Sequence, residues 1–191
     1  MNRFADYIEY DHALNKGKTL LSDPKKCILG FYVIYSINVG LRISDVLKLK
    51  HTDLGGLNVG DEIHLNEQKT GKSRTITINN EVYSAYQKLL EMLKQNGKYD
   101  HNSFVFVSQK GTVFSYKSID RLLKEIFRNK KLQISSHSLR KSFARRFYEQ
   151  NNRSEHSLVL IGEAFNHSSL SITKRYLGLR KEEVKNIYLS L

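Results

Sequence analysis

The order of apolar and polar residues along the chain predicts several helices and one pair of strands. The first predicted helix begins at Pro24 and runs to about Val39, since proline suits the first position of a helix and Gly40 can end it in a left-handed conformation. A short helix from about Ser44 through Leu49 follows, because the serine can cap it and the apolar residues after it give it a buried side.

The periodicity then changes from helical to alternating. Ile63 and Leu65 have polar neighbours, and so do the two isoleucines of Thr75–Ile78. Between these segments lies the polar turn Lys69–Lys72. Alternation on both sides of a short polar turn predicts a β-hairpin.

Helical spacing returns after residue 80 and continues to the end of the chain. Apolar residues at positions 82, 85, 86, 89, 90 and 93 form one face of the next helix. Residues 105–107 are predicted to be extended. The later predicted helices are Tyr116–Asn129, Ser135 or Ser136 through Tyr148, Ser154 to about Phe165, Ser169 or Ser171 through Leu177, and Lys181–Tyr188. The sum is a mostly helical α+β domain with one small hairpin.

Length and cysteine content restrict the class of protein. A chain of 191 residues matches a single domain that can bury a core without disulfides or a structural metal. Its only cysteine, Cys27, lies in an apolar stretch, and no two histidines form a His-x-x-x-His pair, so neither a disulfide framework nor a metal site is predicted. No apolar run reaches the roughly 18 residues of a membrane span, and the first residues do not resemble a signal peptide. We therefore expect a cytoplasmic protein that does not enter a membrane.

Positive charge gives the first indication of a partner. The chain carries 31 Lys and Arg residues against 19 Asp and Glu, a net charge of +12, and most of the excess lies between Lys110 and Arg146. Such an excess usually accompanies an anionic partner. Nucleic acid is favoured here, and a solvated lysine-rich surface is the alternative.

Part of this charge lies on one side of the helix predicted from Tyr116. Basic residues recur there at spacings of four, three, four and three: Lys117, Arg121, Lys124, Arg128 and Lys131. Like charges at these spacings repel one another unless an anion lies between them. The basic stripe therefore predicts contact with the phosphate backbone of DNA, and we add Lys141 to this set. An ordinary surface helix is the alternative.

The segment Thr70–Ser73 looks like the end of a nucleotide-binding phosphate loop. The position five before Gly71 is Asn66, where that loop needs glycine, and strand-like residues follow where it needs a helix. Nucleoside triphosphate binding is therefore disfavoured.

Four fragments carry the candidate chemistry. They are Gly40–Asp45, Gln68–Lys72, His137–Arg140 and Asn166–Ser169, with Tyr176 nine residues after His167. Each fragment alone also has a structural explanation. The two arginines could form ion pairs with Asp45 and Glu163, and Tyr176 is one of 11 tyrosines. Their joint occurrence in this order is what indicates a functional site.

Together these fragments resemble the catalytic domain of the tyrosine recombinases, the phage-integrase-type family of site-specific recombinases, over about residues 20–180. The resemblance assigns six catalytic positions: Arg42, Lys69, His137, Arg140, His167 and Tyr176. Asp45 matches the acidic residue that supports the first arginine. The resemblance implies that duplex DNA is cleaved and rejoined through a 3′-phosphotyrosyl bond, without a metal or another cofactor.

The implied roles match the chemistry of the side chains. A tyrosine phenol can attack phosphorus and leave again more easily than a serine alcohol. Guanidinium and imidazole groups, at Arg42, Arg140 and His167, can offset the charge that develops on the non-bridging oxygens. The resemblance assigns Lys69 as the acid for the leaving 5′ oxygen, and His137 as the group that accepts the phenol proton or holds the phosphate.

Two departures from the family pattern affect these expectations. Asn166 stands where glycine usually precedes the later histidine, although asparagine also tolerates a left-handed backbone. The helical core-binding domain that typically precedes the catalytic domain is expected to be absent, because only about 22 residues precede the first predicted core helix. The chain is thus interpreted as one catalytic domain with a tail at 181–191, either as a fragment of a longer protein or as a short, single-domain member of the family.

The resemblance also implies partners. Double-stranded DNA is the expected substrate, and strand exchange implies a homotetramer on DNA, although a monomer is possible in isolation. The tail places Val184, Ile187, Tyr188 and Leu191 on one side, for docking on a neighbouring copy or on its own domain. The alternatives are a DNA-binding protein of the same fold without turnover and a type IB topoisomerase-like relaxer of DNA.

Overall fold

The computed structural model describes residues 5–129 and 131–190, except for the side chains of residues 180–184. The chain divides into two compact units, Met1–Ser142 and Phe143–Leu191. The first unit contains α1 (Tyr10–Leu21), α2 (Cys27–Val39), α3 (Ile43–Val46), α4 (His51–Leu54), β1 (Glu62–Asn66), β2 (Ser73–Thr77), α5 (Asn80–Gln95), α6 (Tyr116–Ile126) and the start of α7 (Ser136–Gln150). The second contains the rest of α7, with α8 (Glu155–Phe165), α9 (Leu170–Leu177) and α10 (Leu179–Leu189). The predicted class, mostly helical α+β with one small hairpin, is confirmed.

The centre of the first unit is α2, which is apolar around its whole circumference. Every residue from Cys27 to Val39 is buried except Ile28 and Asn38. Phe31 stacks on Phe106 with ring centroids 5.7 Å apart. Helices α1 and α5 pack against α2, so this helix is enclosed by the rest of the unit.

The end of α2 agrees with the prediction, but its start does not. The helix begins at Cys27 and not at Pro24, because Asp23 and Pro24 belong to a turn in which Asp23 accepts hydrogen bonds from the backbone of Lys25 and Lys26. Its end is as predicted. Gly40 adopts φ 63° and ψ 27°, and its N–H donates to the carbonyl of Ser36.

Two short helices show where local patterns were insufficient. The helix predicted from Ser44 to Leu49 corresponds to α3, which ends already at Val46. Ser44 lies inside it, and Arg42 is the capping position, since its carbonyl accepts the first hydrogen bonds of the helix. Helix α4, like α1, was not predicted from the sequence.

The predicted hairpin is confirmed. Strands β1 and β2 pair antiparallel, with Ile63 opposite Ile76 and both buried. Residues 105–107 form only an isolated bridge, Val107 to Val113, in place of a strand. The hairpin therefore lays one apolar face on the core and exposes the other.

The second unit has a core of its own. It consists of Ala144, Leu158, Ile161, Phe165, Leu177 and Leu179. Ser154 and Ser169 cap α8 and α9 as predicted, accepting hydrogen bonds from the N–H groups of Ser157 and Ile172. None of the helices in the described part of the chain combines the length and apolarity that crossing a lipid bilayer requires.

The closest approach between α1 and α2 occurs at a pair of glycines. A Cβ on Gly30 would lie 2.3 Å from the backbone nitrogen of Leu21 and 2.7 Å from the carbonyl oxygen of Gly17. Backbone atoms cannot move aside as a flexible side chain can. The two helices can therefore pack at this distance only with glycine at position 30.

We expect Gly30→Ala to lower the free energy of unfolding by about 3 kcal/mol, because the added methyl group must separate α1 from α2. Urea and thermal unfolding measure the change. Gln87→Ala, at an exposed position of α5, is the control and should stay within about 0.5 kcal/mol of wild type. Equal stability of the Gly30 variant and wild type would contradict the observed helix packing.

Candidate active site

Arg42 lies between the end of α2 and the start of α3. Gly40 turns the chain there, and the carbonyl of Arg42 accepts hydrogen bonds from Asp45 and Val46 in the first turn of α3. The Arg42 side chain is 19% exposed. The backbone that carries this arginine is therefore fixed by the end of the buried helix.

Glu67 binds the Arg42 guanidinium. Nη1 of Arg42 donates to Oε2 of Glu67 at 2.5 Å, and Nη1 of Arg74 donates to Oε1 at 3.3 Å. Burial by itself raises the pKa of Glu67. The hydrogen bonds from Thr70, Arg42 and Arg74, with the positive charge of Arg42, outweigh burial and hold that pKa below its usual 4.5. The carboxylate is therefore ionised at neutral pH, and Arg42 forms its ion pair with a residue that the sequence did not suggest.

Asp45, the acid predicted to support the first arginine, is bound to the hairpin. Its Oδ1 accepts a hydrogen bond from the backbone N–H of Gln68 at 2.9 Å and one from the Ser44 hydroxyl at 3.4 Å. Asp45 is buried. It therefore connects α3 to the turn that carries Lys69.

Lys69 lies in the turn between β1 and β2. The turn is closed by two backbone hydrogen bonds, from the N–H of Glu67 to the carbonyl of Lys72 and from the N–H of Gly71 to the carbonyl of Glu67. Gly71 has φ 67°, which glycine adopts without strain. Lys69 itself is exposed, so its ammonium group faces solvent from a turn that is anchored at its base.

His137 and Arg140 lie near the start of α7, where their spacing puts them on one face. The N–H of Ser136 donates to Oδ1 of Asp120 at 2.7 Å. An acid from α6 thus provides a hydrogen-bond acceptor for a backbone N–H at the start of α7. Partial desolvation, the positive charge of Arg140 and, more weakly, that of Arg42 lower the pKa of His137 from its usual 6.5. The imidazole is therefore mainly neutral at pH 7.

The start of α7 is also held from the amino-terminal segment. The backbone of Asp6 pairs with Gln133, whose N–H donates to Oδ2 of Asp6 at 2.8 Å. The Ser142 hydroxyl accepts from the N–H of Ile8 at 3.0 Å. These contacts fix the first unit's part of α7 from outside the helix.

His167 and Tyr176 lie together in the second unit. Their ring centroids are 5.4 Å apart at an interplanar angle of 60°, and Phe165 packs edge-on against both rings. Nδ1 of His167 lies 3.0 Å from Oγ1 of Thr173, which is fully buried. The hydroxyl of Thr173 thus fixes the orientation of the imidazole ring.

Asn166 replaces the glycine that is usual before His167 and adopts the conformation that glycine would. It has φ 56° and ψ 41° at the end of α8, and the N–H of His167 donates to the carbonyl of Gly162 at 2.8 Å. The left-handed turn expected of asparagine is therefore present.

The basic stripe lies on the exposed side of α6. Lys117, Arg121 and Lys124 are exposed, whereas Ile119 and Leu123 on the other side are fully buried. The stripe predicted as one helical face is therefore present over α6.

The other basic residues predicted to contact DNA lie outside α6. Helix α6 ends at Ile126 and not at Asn129, so Arg128 and Lys131 are exposed in the segment that follows it. Lys141 is 8% exposed, because it lies on the buried side of α7. Its surroundings therefore differ from those of the exposed α6 residues.

One histidine outside the site, His51, has a structural role. His51 is buried with Nδ1 3.0 Å from the Tyr86 hydroxyl, and burial lowers the pKa of its imidazole. Among residues 5–129 and 131–190, no group of three or more His, Cys, Asp or Glu side chains is placed to hold a metal ion.

Three residues that support the site had no predicted role: Glu67, Asp120 and Thr173. A signal for Glu67 was available. Residues 63, 65 and 67 alternate toward the apolar side of β1, and Arg74 lies opposite Leu65 on β2, two positions before Ile76. Opposite charges on the inward face of both strands predict an ion pair. Asp120 and Thr173 act through contacts that no local pattern encodes.

Comparison with known proteins identifies the family of the chain. The sequence model of the phage integrase family matches residues 10–183. The probable integrase/recombinase YoeC of Bacillus subtilis is 32% identical over 164 residues, which are 83% of this chain and 81% of that protein. Tyrosine recombinase XerC of Bacillus pumilus is 27% identical over 79% of this chain, which spans about half (49%) of that protein.

The fold agrees as well. The XerH site-specific recombinase, solved with its palindromic difH substrate as a post-cleavage complex, superposes with a TM-score of 0.67 at 21% identity, over 98% of this chain and 53% of that chain. The family match covers most of the chain and includes every predicted catalytic position. The chain therefore belongs to the phage integrase family, and its fold is that of a tyrosine recombinase catalytic domain.

Proposed function

We propose that this chain is the catalytic part of a site-specific DNA recombinase or integrase that cleaves and rejoins duplex DNA through a 3′-phosphotyrosyl intermediate. The observation that carries the proposal is the complete set of six side chains, in family order, on a chain of that family. Two local arrangements support it. Arg42 and Arg140 both act on the pKa of His137, and His167 contacts Tyr176.

In the proposed reaction, Arg42, Arg140 and His167 bind the non-bridging oxygens of the scissile phosphate. Guanidinium groups present planar pairs of N–H donors that match phosphate oxygens, and they keep their charge at any working pH. As the phosphorus becomes five-coordinate, negative charge on these oxygens increases. Donors that are already oriented stabilise this charge most.

The hydroxyl of Tyr176 attacks the phosphorus, and the bond from phosphorus to the 5′ oxygen breaks. The phenol proton passes to His137, whose lowered pKa keeps the imidazole neutral and able to accept it. Lys69 donates a proton to the departing 5′ oxygen, which becomes a hydroxyl. The exposed turn that carries Lys69 suits a group that must reach DNA.

Rejoining reverses these steps. A 5′ hydroxyl attacks the phosphotyrosyl bond, Tyr176 leaves, and the phenol regains its proton. The phosphotyrosyl ester conserves the energy of the broken phosphodiester, so the proposed reaction consumes no high-energy cofactor. Its charge stabilisation is assigned to the protein's own cations, and the proposal therefore requires no metal.

DNA binding in this proposal involves the exposed residues of α6. Its basic stripe lies on one face, and the apolar side of the helix is buried in the first unit. Arg121 forms only a weak ion pair with Glu125, since Oε2 of Glu125 lies 3.9 Å from Nη1 of Arg121 and both side chains are exposed. Such cations can exchange solvent counterions for phosphates.

A homotetramer on DNA is the assembly that we propose for strand exchange. Near the end of α10, Ile187, Tyr188 and Leu189 are 58%, 78% and 72% exposed. The predicted apolar side of the tail also included Val184 and Leu191, whose side chains lie outside the described residues. Exposed apolar side chains at a chain end suit docking on a neighbouring copy.

We expect wild-type protein to form an SDS-resistant adduct with nicked duplexes from its own genomic surroundings, in buffer containing EDTA. Tyr176→Phe should form none, because the phenylalanine ring has no attacking oxygen. Tyr83→Phe, at a half-buried position of α5, is the matched control and should react as wild type does, since this tyrosine lies outside both the site and the tail.

An adduct that persists in Tyr176→Phe would refute the assignment of the nucleophile. DNA binding without any adduct would favour a binding protein of the same fold. Relaxation of supercoiled DNA without site preference would favour a topoisomerase-like activity.

We expect replacement of Lys117, Arg121 and Lys124 by alanine to weaken DNA binding and to reduce the slope of log affinity against log salt by about one for each phosphate that the protein no longer neutralises. Titrations by fluorescence anisotropy between about 50 and 200 mM salt measure the slope. A control removes the same charge from α5 and the segment after it, at Lys88, Lys94 and Lys98. If both triple variants show the same slope, α6 is not the DNA-binding helix.

We expect deletion of residues 180–191 to weaken assembly on DNA by about tenfold or more while changing the affinity of a single copy for DNA less than about threefold. Three of the removed side chains, Ile187, Tyr188 and Leu189, are apolar and exposed, so their removal should affect the association of copies. Analytical ultracentrifugation with labelled DNA distinguishes the two effects. An equal decrease in assembly and in DNA affinity would contradict a docking role for the tail.

A further inference from the structure

Glu67 is a buried acid that the proposed reaction does not use. Its side chain has no exposed surface, although it belongs to a hairpin that is otherwise open to solvent on one face. Burial of an ionised carboxylate without partners is strongly unfavourable, so a residue of this kind needs contacts that compensate for its desolvation.

Both oxygens of the Glu67 carboxylate are bound. Oε2 accepts from Nη1 of Arg42 at 2.5 Å and from the Thr70 hydroxyl at 2.9 Å, and Oε1 accepts from Nη1 of Arg74 at 3.3 Å. Arg74 is anchored in turn by a hydrogen bond from its Nη2 to the carbonyl of Val39 at 3.1 Å. The acid thus lies between two guanidinium groups, one of which is fixed to the end of α2.

The same residue shapes the turn that carries Lys69. Its N–H donates to the carbonyl of Lys72, and its carbonyl accepts from the N–H of Gly71. Its side chain binds Thr70, the residue that follows Lys69. Glu67 is therefore bonded at one end to the backbone of the turn and at the other to Arg42.

A purely structural role would need only one of these contacts. Arg74 lies on β2 and Glu67 directly follows β1, and their ion pair alone would hold the hairpin together. Arg42 lies outside the hairpin, and its bond to Glu67 is the shorter of the two. That additional bond restricts the movement of a guanidinium that would otherwise rotate more freely at the end of a flexible side chain.

We propose that Glu67 is a positioning residue that holds the Arg42 guanidinium in the orientation that binds the scissile phosphate. The role rests on the proposed function, since it acts through a residue assigned to that reaction. It places Glu67 beside Asp45 as a second acid in the support of this arginine. Asp45 fixes the backbone of the turn, and Glu67 fixes the charged group.

The main test compares two scissile linkages in Glu67→Gln. Glutamine keeps the size of the side chain and one acceptor but removes its charge. On a normal phosphodiester, the rate of adduct formation at saturating protein should fall about 10- to 100-fold, as expected when a catalytic group loses its alignment. On a methylphosphonate, a neutral methyl group replaces one charged oxygen, so the aligned guanidinium matters less. There the variant should react within about threefold of wild type.

Controls separate positioning from damage to the fold. Glu62→Gln makes the same change at an exposed position of β1 and should leave both rates unchanged. Lys69→Ala should slow both linkages, because the leaving 5′ oxygen needs its proton in each. If Glu67→Gln fails to fold, Glu67→Gln combined with Arg74→Met removes one charge of each sign and takes its place.

An equal fall in rate on both linkages would overturn the proposal in favour of a structural role, and so would an unchanged rate on the phosphodiester. A second measurement does not require cleavage. In ¹⁵N NMR of the arginine side chains, the Arg42 signals of wild type should show hindered guanidinium rotation, and Glu67→Gln should remove this hindrance. Arg42→Lys assigns the signals.

The two measurements distinguish the two hypotheses. If wild-type protein forms no adduct on either linkage, the proposed recombinase reaction fails, and the NMR signals still show whether Glu67 orients Arg42. Identical Arg42 signals in wild type and Glu67→Gln would overturn the positioning role whatever the activity.

Discussion

The burial of α2 on nearly all sides is the constraint on which the first unit depends. Its close approach to α1 at Gly30 leaves no room for a side chain, and aromatic residues from the later chain enclose it. A helix held in this way cannot shift along its axis without losing its packing. Its carboxyl end is therefore a fixed point, and Arg42 follows that end by three residues. The rigid core thus determines where the first candidate phosphate ligand is placed.

Near the carboxyl end of α2, positive and negative side chains lie together and compensate one another's charge. Arg42 and Arg74 share the buried carboxylate of Glu67, and Asp45 binds the backbone of the same turn. Desolvation penalises each of these charges alone, and only their mutual contacts compensate for it. A phosphate-binding arginine keeps its charge at any working pH but must also be rigid. A buried acid beside it restricts the guanidinium.

The second unit uses packing where the first uses ion pairs. The His167 ring lies between the buried hydroxyl of Thr173 and the rings of Phe165 and Tyr176. Asn166 makes the left-handed turn that sets the start of this arrangement. Aromatic neighbours limit the ring positions, and one hydrogen bond fixes the imidazole. Each unit thus orients its own candidate groups by local contacts.

The sequence by itself determined the class of fold, the hairpin, several helix ends and the identity of the candidate catalytic residues. Periodicity, caps such as Ser154, and motif order are local properties that each segment carries with it. Only the tertiary structure decided that α2 begins at Cys27, that Lys141 is buried, and that Glu67 is the partner of Arg42. The physical reason is the same in each case. Burial and ion pairing depend on which segments, distant in sequence, pack together away from water. The local sequence pattern does not specify these contacts.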